Sequence, residues 1–148
     1  MTTSTTAVST QREPELFGQT VVVIGGSAGI GLETARRARA EGASLILTGR
    51  NPERLEQAAR EVDAQHTAAF DANDPASLQS FFQDLPTPID HVMVTAGAPH
   101  YGPPLEMPPE ETRRGLTEHL LLALAVARCA AHKVRPPMNP REPGGLTL

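Results

Sequence analysis

The chain has 148 residues, 13 basic and 17 acidic side chains and a formal charge of -4, a size suited to one domain with its own core. That balance creates no strong positive field, which excludes nucleic acid and anionic membrane surfaces as expected partners. One cysteine, Cys129, and histidines at His66, His91, His100, His119 and His132 offer neither a disulfide framework nor a metal-ligand spacing; with no signal-peptide pattern and no run of ~18 apolar residues, a cytoplasmic protein is expected.

Residues 1–15, MTTSTTAVSTQREPE, are rich in Thr and Ser and poor in large apolar side chains, so they read as a disordered leader to a single domain over 16–148. TVVVIGG then reads as a short β-branched strand feeding a helix, with Ile30, Thr34, Ala35 and Ala38 expected on its buried face. Gly42 closes that helix, Leu45 to Thr48 form a second strand, and Asn51-Pro52 opens a second helix with Leu55, Ala58, Ala59 and Val62 as its buried stripe. HTAAFD reads as strand three, and Asp74-Pro75 starts a helix carrying Leu78, Phe81, Phe82 and Leu85. Strand four is expected over 89–97. A Pro-rich loop then leads to a long helix near 112–133, with Leu116, Leu120, Ala123, Leu124 and Ala127 on one face and Leu121, Leu122, Ala125 and Val126 widening the apolar surface. The closing Gly-Gly-Leu-Thr-Leu reads as the start of a fifth strand, so the C-terminus is expected to fall inside an element. Strands alternating with helices in this way imply βαβ units with right-handed crossovers, hence a doubly wound parallel sheet in a three-layer α-β-α arrangement.

The run VVVIGGSAGIG admits two chemistries. Gly25-Gly26-Ser27-Ala28-Gly29 fits the G-x-S-x-G elbow of a serine hydrolase, while Gly25, Gly29 and Gly31 have the glycine spacing of a turn that cradles a pyrophosphate. Context favours the second: the run follows a strand, opens a helix and lies in the first βαβ unit, where free N–H groups and the helix dipole attract phosphate. A hydrolase elbow would need a sheet already built by earlier strands, and before its own strand Ser27 has only the leader. At the end of strand two a dinucleotide site usually places an acid for the ribose hydroxyls. Here Gly49 and Arg50 stand instead, and a guanidinium suits a 2′-phosphate, which favours NADP over NAD; the alternative is a solvated turn residue.

VVVIGGSAGIG, LTGRNPERLEQAARE, FDANDPASLQSFF and VMVTAG, in this order and spacing, resemble the amino-terminal half of the short-chain dehydrogenase/reductase family over roughly residues 18–148. The resemblance implies a Rossmann-type fold and an NADP-dependent oxidoreductase that moves hydride between nicotinamide and a small-molecule carbonyl or alcohol. It also implies roles: Gly25, Gly29 and Gly31 as cofactor glycines with Ser27 and Ile30 beside the phosphates, Arg50 as the NADP-selecting residue, Asp71 as the acid on the adenine amino group, and Ala96 and Gly97 along the adenosine side. Two departures bear on mechanism. Val94 and Thr95 stand where the family has two asparagines, and His119 aligns with its catalytic Asn. The family's Ser and Tyr-x-x-x-Lys have no counterpart: Tyr101 is the one tyrosine, Lys133 the one lysine, and Leu105 lies four residues after Tyr101. The chain alone is therefore expected to lack turnover, and a non-catalytic half domain that binds a dinucleotide or self-associates through the 112–133 helix is the alternative reading.

Overall fold

The computed structural model describes residues 15–86, 88–97, 102, 103 and 105–136. The expected leader, apart from Glu15, and the expected fifth strand lie outside them, as do His100 and Tyr101.

Four strands, β1 (Thr20–Ile24), β2 (Ser44–Gly49), β3 (His66–Ala69) and β4 (His91–Val94), form one parallel sheet in the order β3-β2-β1-β4. The chain winds outward from β1 to β3, then returns to the other side of β1. That reversal opens a crevice at the carboxyl ends of β1 and β4, the place where doubly wound sheets bind ligands.

Alternation along β1 divides the core. Val21 and Val23 face α1 (Gly29–Ala40) and α2 (Pro52–Val62), joining Ala35, Ala38, Leu55, Ala58 and Val62. Val22 and Ile24 face α3 (Pro75–Asp84) and the later α5 (Leu122–Ala130), joining Leu78, Phe81, Phe82, Leu122 and Val126. Both faces of the sheet are covered, as parallel sheets require.

Capping explains where α2 and α3 begin. Asn51 accepts from Arg54 N at 2.9 Å, Asp74 accepts from Ser77 N at 3.1 Å, and each is followed by a proline that needs no N–H partner. The Ser77 hydroxyl also donates to Asp74, and these bonds, the hydroxyl first, hold the Asp74 carboxyl below the usual carboxylate range. Its contribution is therefore present above about pH 4, where the unfolded carboxyl ionises, and is lost as pH falls through the lowered native value. We expect the melting temperature to drop more between pH 5 and pH 3 in the native chain than in Asp74→Asn, which keeps the cap without the charge. Equal drops in two circular dichroism melts would remove Asp74 as a source of acid lability.

Three expectations need correction. Ile30 is 75% exposed: α1 packs on the sheet through Gly31, Ala35 and Ala38, small residues that let it approach closely and turn Ile30 outward. Strand four pairs only over His91–Val94, with Ile89 in a separate parallel bridge to Val134. The long helix starts at Pro109, not 112, and runs as α4 (Pro109–Leu116), a π-helical turn (Thr117–Leu121) and α5. Its buried side chains are Leu122, Val126 and Ala130, whereas Leu116, Leu120, Leu121 and Leu124 are exposed. With leucine on most sides of this helix, periodicity alone could not choose the inward stripe.

Lys133 ties the end of this helical run to α3. Its Nζ donates to the carbonyls of Gln83 at 3.0 Å and Leu85 at 3.2 Å, placing a cation at the negative end of the α3 dipole.

Candidate functional site

The turn leaving β1 is fastened on both sides. Gly25 N and Gly26 N donate to the Thr48 carbonyl of β2, while Thr95 N and Ala96 N, just past β4, donate to the Ile24 carbonyl. Gly25 has φ +95°, and a Cβ there would lie 2.6 Å from Ala96 N, so only glycine fits. The Thr95 hydroxyl donates to the carbonyls of Ile24 at 3.2 Å and Gly25 at 3.1 Å, a clamp that sequence reading registered only as a departure from asparagine.

Beyond that turn the surroundings open. Nothing lies within 4 Å of a Cβ built on Gly29, and Ala28, the residue capping α1, provides no side-chain acceptor. The first N–H groups of α1 thus have no side-chain cap, an arrangement suited to an anion.

A pocket of about 720 Å³ runs along the carboxyl edge of the sheet. It brings together Gly25 and Ser27 after β1, Gly49 and Arg50 after β2, Asp71 after β3, and Thr95, Ala96 and Gly97 after β4; Thr117, Glu118 and Leu121 of the π turn close its far end. Gly29, Ile30, Gly31 and His119 are not among its walls. Gly31 is buried beneath the turn, and His119 stands behind Gly97, with Nε2 3.6 Å from the position a Gly97 Cβ would take. Asp71 accepts from Asn73 N at 3.0 Å, which fixes its carboxylate at the mouth.

Arg54 is a charged wall residue that sequence reading missed. Asn51 caps α2 through Arg54 N, which sets this residue in the first turn beside Arg50. The signal was present: two arginines flank the cap. Among the described residues neither guanidinium has an ion-pair partner, whereas Arg37 and Arg60 are paired with Glu33 and Glu56 along their own helices.

Other candidates fall elsewhere. Asp90, an acid that a hydrolase built on Ser27 could have used in a triad, accepts from Thr20 N at 2.8 Å at the start of β1, the opposite end of the sheet from Ser27. His66 begins β3 and His91 begins β4, bonded to Gln19 at 2.6 Å, both on that same remote edge. Cys129 is a partly buried residue packed against the core. Among the described residues no group of His, Cys, Asp and Glu could hold a metal ion, and no helix is long and apolar enough to cross a membrane.

An open parallel sheet with its glycine turn at the strand-order reversal defines a doubly wound, Rossmann-type α/β protein. Residues 19–134 match the family model for the short chain dehydrogenase, and the chain belongs to that family. It is 42% identical over 69 residues to sulfoacetaldehyde reductase 2 of Chromohalobacter salexigens, covering 45% of this chain and 27% of that protein. With dehydrogenase/reductase SDR family member 7B of Bos taurus it shares 32% over 107 residues, 64% of this chain and 33% of the relative. A short-chain type dehydrogenase/reductase from Mycobacterium ulcerans superposes with a TM-score of 0.71 at 25% identity, covering 80% of this chain and 47% of that one. One from Vibrio parahaemolyticus superposes at 0.66 with 27% identity, covering 76% and 55%. The chain thus spans about a third of these curated relatives and about half of these solved structures.

Proposed function

We propose that this chain is the cofactor-binding part of an NADP-dependent short-chain oxidoreductase. The observation that carries the reading is the pair of guanidiniums, Arg50 and Arg54, which have no ion-pair partner among the described residues and wall one pocket with the glycine turn. Two cations without a carboxylate at the end of β2 suit a 2′-phosphate, where an acid would suit free ribose hydroxyls. In this reading the pyrophosphate lies against Gly25, Ser27, Gly29 and Ile30, with Gly31 seating α1 beneath it. Asp71 receives the adenine amino group, and Ala96 and Gly97 flank the adenosine side.

The bound nicotinamide would supply or accept the hydride, and this chain's residues bind and orient it. The substrate class, a small carbonyl or alcohol, is carried over from the family and from a relative named for reducing an aldehyde. Exposed Leu116, Leu120 and Leu124 support a second reading alongside it, self-association through the 109–130 helical run.

Titrating the purified chain with NADPH and with NADH, followed by nicotinamide fluorescence, tests the proposal. Saturable binding at least about tenfold tighter for NADPH is expected from one charge-assisted phosphate site. Equal affinity would refute the NADP assignment, and no binding of either would refute the reading as a whole.

A further inference from the structure

The order of the sheet gives the pocket two unlike ends. Arg50 and Asp71 mark the β2 and β3 end, and the glycine turn stands in the middle. Past β4, the π turn makes the other end. A dinucleotide with its phosphates held at the first two would extend its nicotinamide half toward the third.

The π turn presents one titratable ring there. Helical pairing in a π turn reaches one residue further back than in an α-helix, and the imidazole of His119 bonds through Nδ1 to the Gly115 carbonyl at 3.1 Å. A carbonyl only accepts, so Nδ1 carries the proton and Nε2 is the position that gains or loses one. The ring edge bearing Nε2 and Cε1 is the one turned to Gly97, at 3.6 and 3.7 Å from its Cβ position. Gly97 is itself a pocket wall, so one glycine separates the imidazole from the cavity.

Among the described residues, the charged groups on the elements around that ring are carboxylates and guanidiniums. Its own turn carries Glu118. On α4 stand Glu110, Glu111, Arg113 and Arg114, with Arg113 paired to Glu110, and α5 has only Arg128. The end of β4 contributes Thr95, Ala96 and Gly97, none of them ionisable, and His91 lies at the opposite edge of the sheet.

Nicotinamide carries a positive ring charge when oxidised and none when reduced. We propose that His119 is a specificity residue which, when protonated, disfavours the oxidised cofactor and leaves the reduced one unaffected, so that falling pH shifts the pocket's preference toward NADPH. This inference rests on the dinucleotide reading above. Repulsion between like unit charges near a water-exposed protein surface corresponds to roughly three- to tenfold in affinity.

The test compares dissociation constants of NADP⁺ and NADPH, measured by calorimetry on the whole chain from pH 8 to pH 6. Taking their ratio cancels the titration of the 2′-phosphate, which both share. The ratio is expected to rise roughly three- to tenfold as pH falls, and to stay flat in His119→Gln. In the native chain, repeating the pH 6.5 titration in two buffers of different ionisation enthalpy should reveal protons released on binding NADP⁺ in excess of any released on binding NADPH, which keeps the proposal falsifiable should the variant fail to fold. Binding of both forms with a pH-independent ratio and equal proton release overturns this inference alone. Absence of binding by either form overturns the dinucleotide reading and this inference with it.

Discussion

Replacing Arg50 and Arg54 together with alanine is expected to weaken NADPH binding by about 10- to 100-fold while leaving NADH binding within about twofold. The magnitude follows from charge-assisted hydrogen bonds to a phosphate dianion, each worth about 1.5 to 3 kcal/mol, discounted because both side chains are exposed to water and salt. The selectivity follows from position. Both residues flank the Asn51 cap at the β2 end of the pocket, away from the glycine turn that would hold the pyrophosphate common to both cofactors. The single variants divide the roles: Arg50→Ala should lose more than Arg54→Ala if the strand end directs the phosphate. Fluorescence titrations of the four proteins against both cofactors measure this. A parallel loss for NADH would place the arginines on the shared part of the dinucleotide and remove the basis for an NADP preference.

Gly31→Ala is expected to destabilise the fold by about 3 kcal/mol and lower its melting temperature by about 10 °C. An added methyl would collide with the Gly25 carbonyl oxygen and lie 2.5 Å from Thr95 Oγ1. Neither neighbour can yield cheaply. Gly25 is held by its N–H on Thr48, and the Thr95 hydroxyl is already bonded to the Ile24 and Gly25 carbonyls. The helix must therefore lift from the sheet, and the contacts of Ala35 and Ala38 with β1 and β2 go with it. Thermal denaturation by circular dichroism reads the effect. A shift under about 2 °C would mean that α1 and the turn separate freely, contrary to the packing described.

The fold was readable because its signals are local and repeated. Four β-branched or apolar runs, each ended by Gly, Asn or Asp and followed by a helix pattern, predict a parallel sheet without any long-range information. The caps at Asn51 and Asp74 appeared where the residue types said they would. The buried stripes of α2 and α3 fell where expected, and the misses were Ile30 in α1 and the stripe of the last helical run. In α1 the sheet selects the smallest side chains, Gly31, Ala35 and Ala38, and a rule that ranks Ile above Gly points the wrong way. In the last helical run the π turn displaces the later residues from the register that an unbroken helix would give, so a stripe counted from Leu116 misses Leu122 and Val126.

The site was legible in part for the same reason. Residues at strand ends, Arg50, Asp71, Ala96 and Gly97, can be placed from strand positions alone, and they do line one pocket. Arg54 could not be placed this way, because it stands within α2, past the Asn51 cap, and not at a strand end. The Thr95 clamp was hidden for another reason: it joins segments 70 residues apart in the chain.

The ε-amine of Lys133 is bonded to the end of α3, and every other basic side chain in this sequence is an arginine. Guanidinium keeps its charge at every physiological pH and is not a substrate for acetylation. The cationic rim of the pocket is therefore permanent, and cellular chemistry that silences lysines would meet here a single target, one that works as a strut between helices and has no part in the cavity.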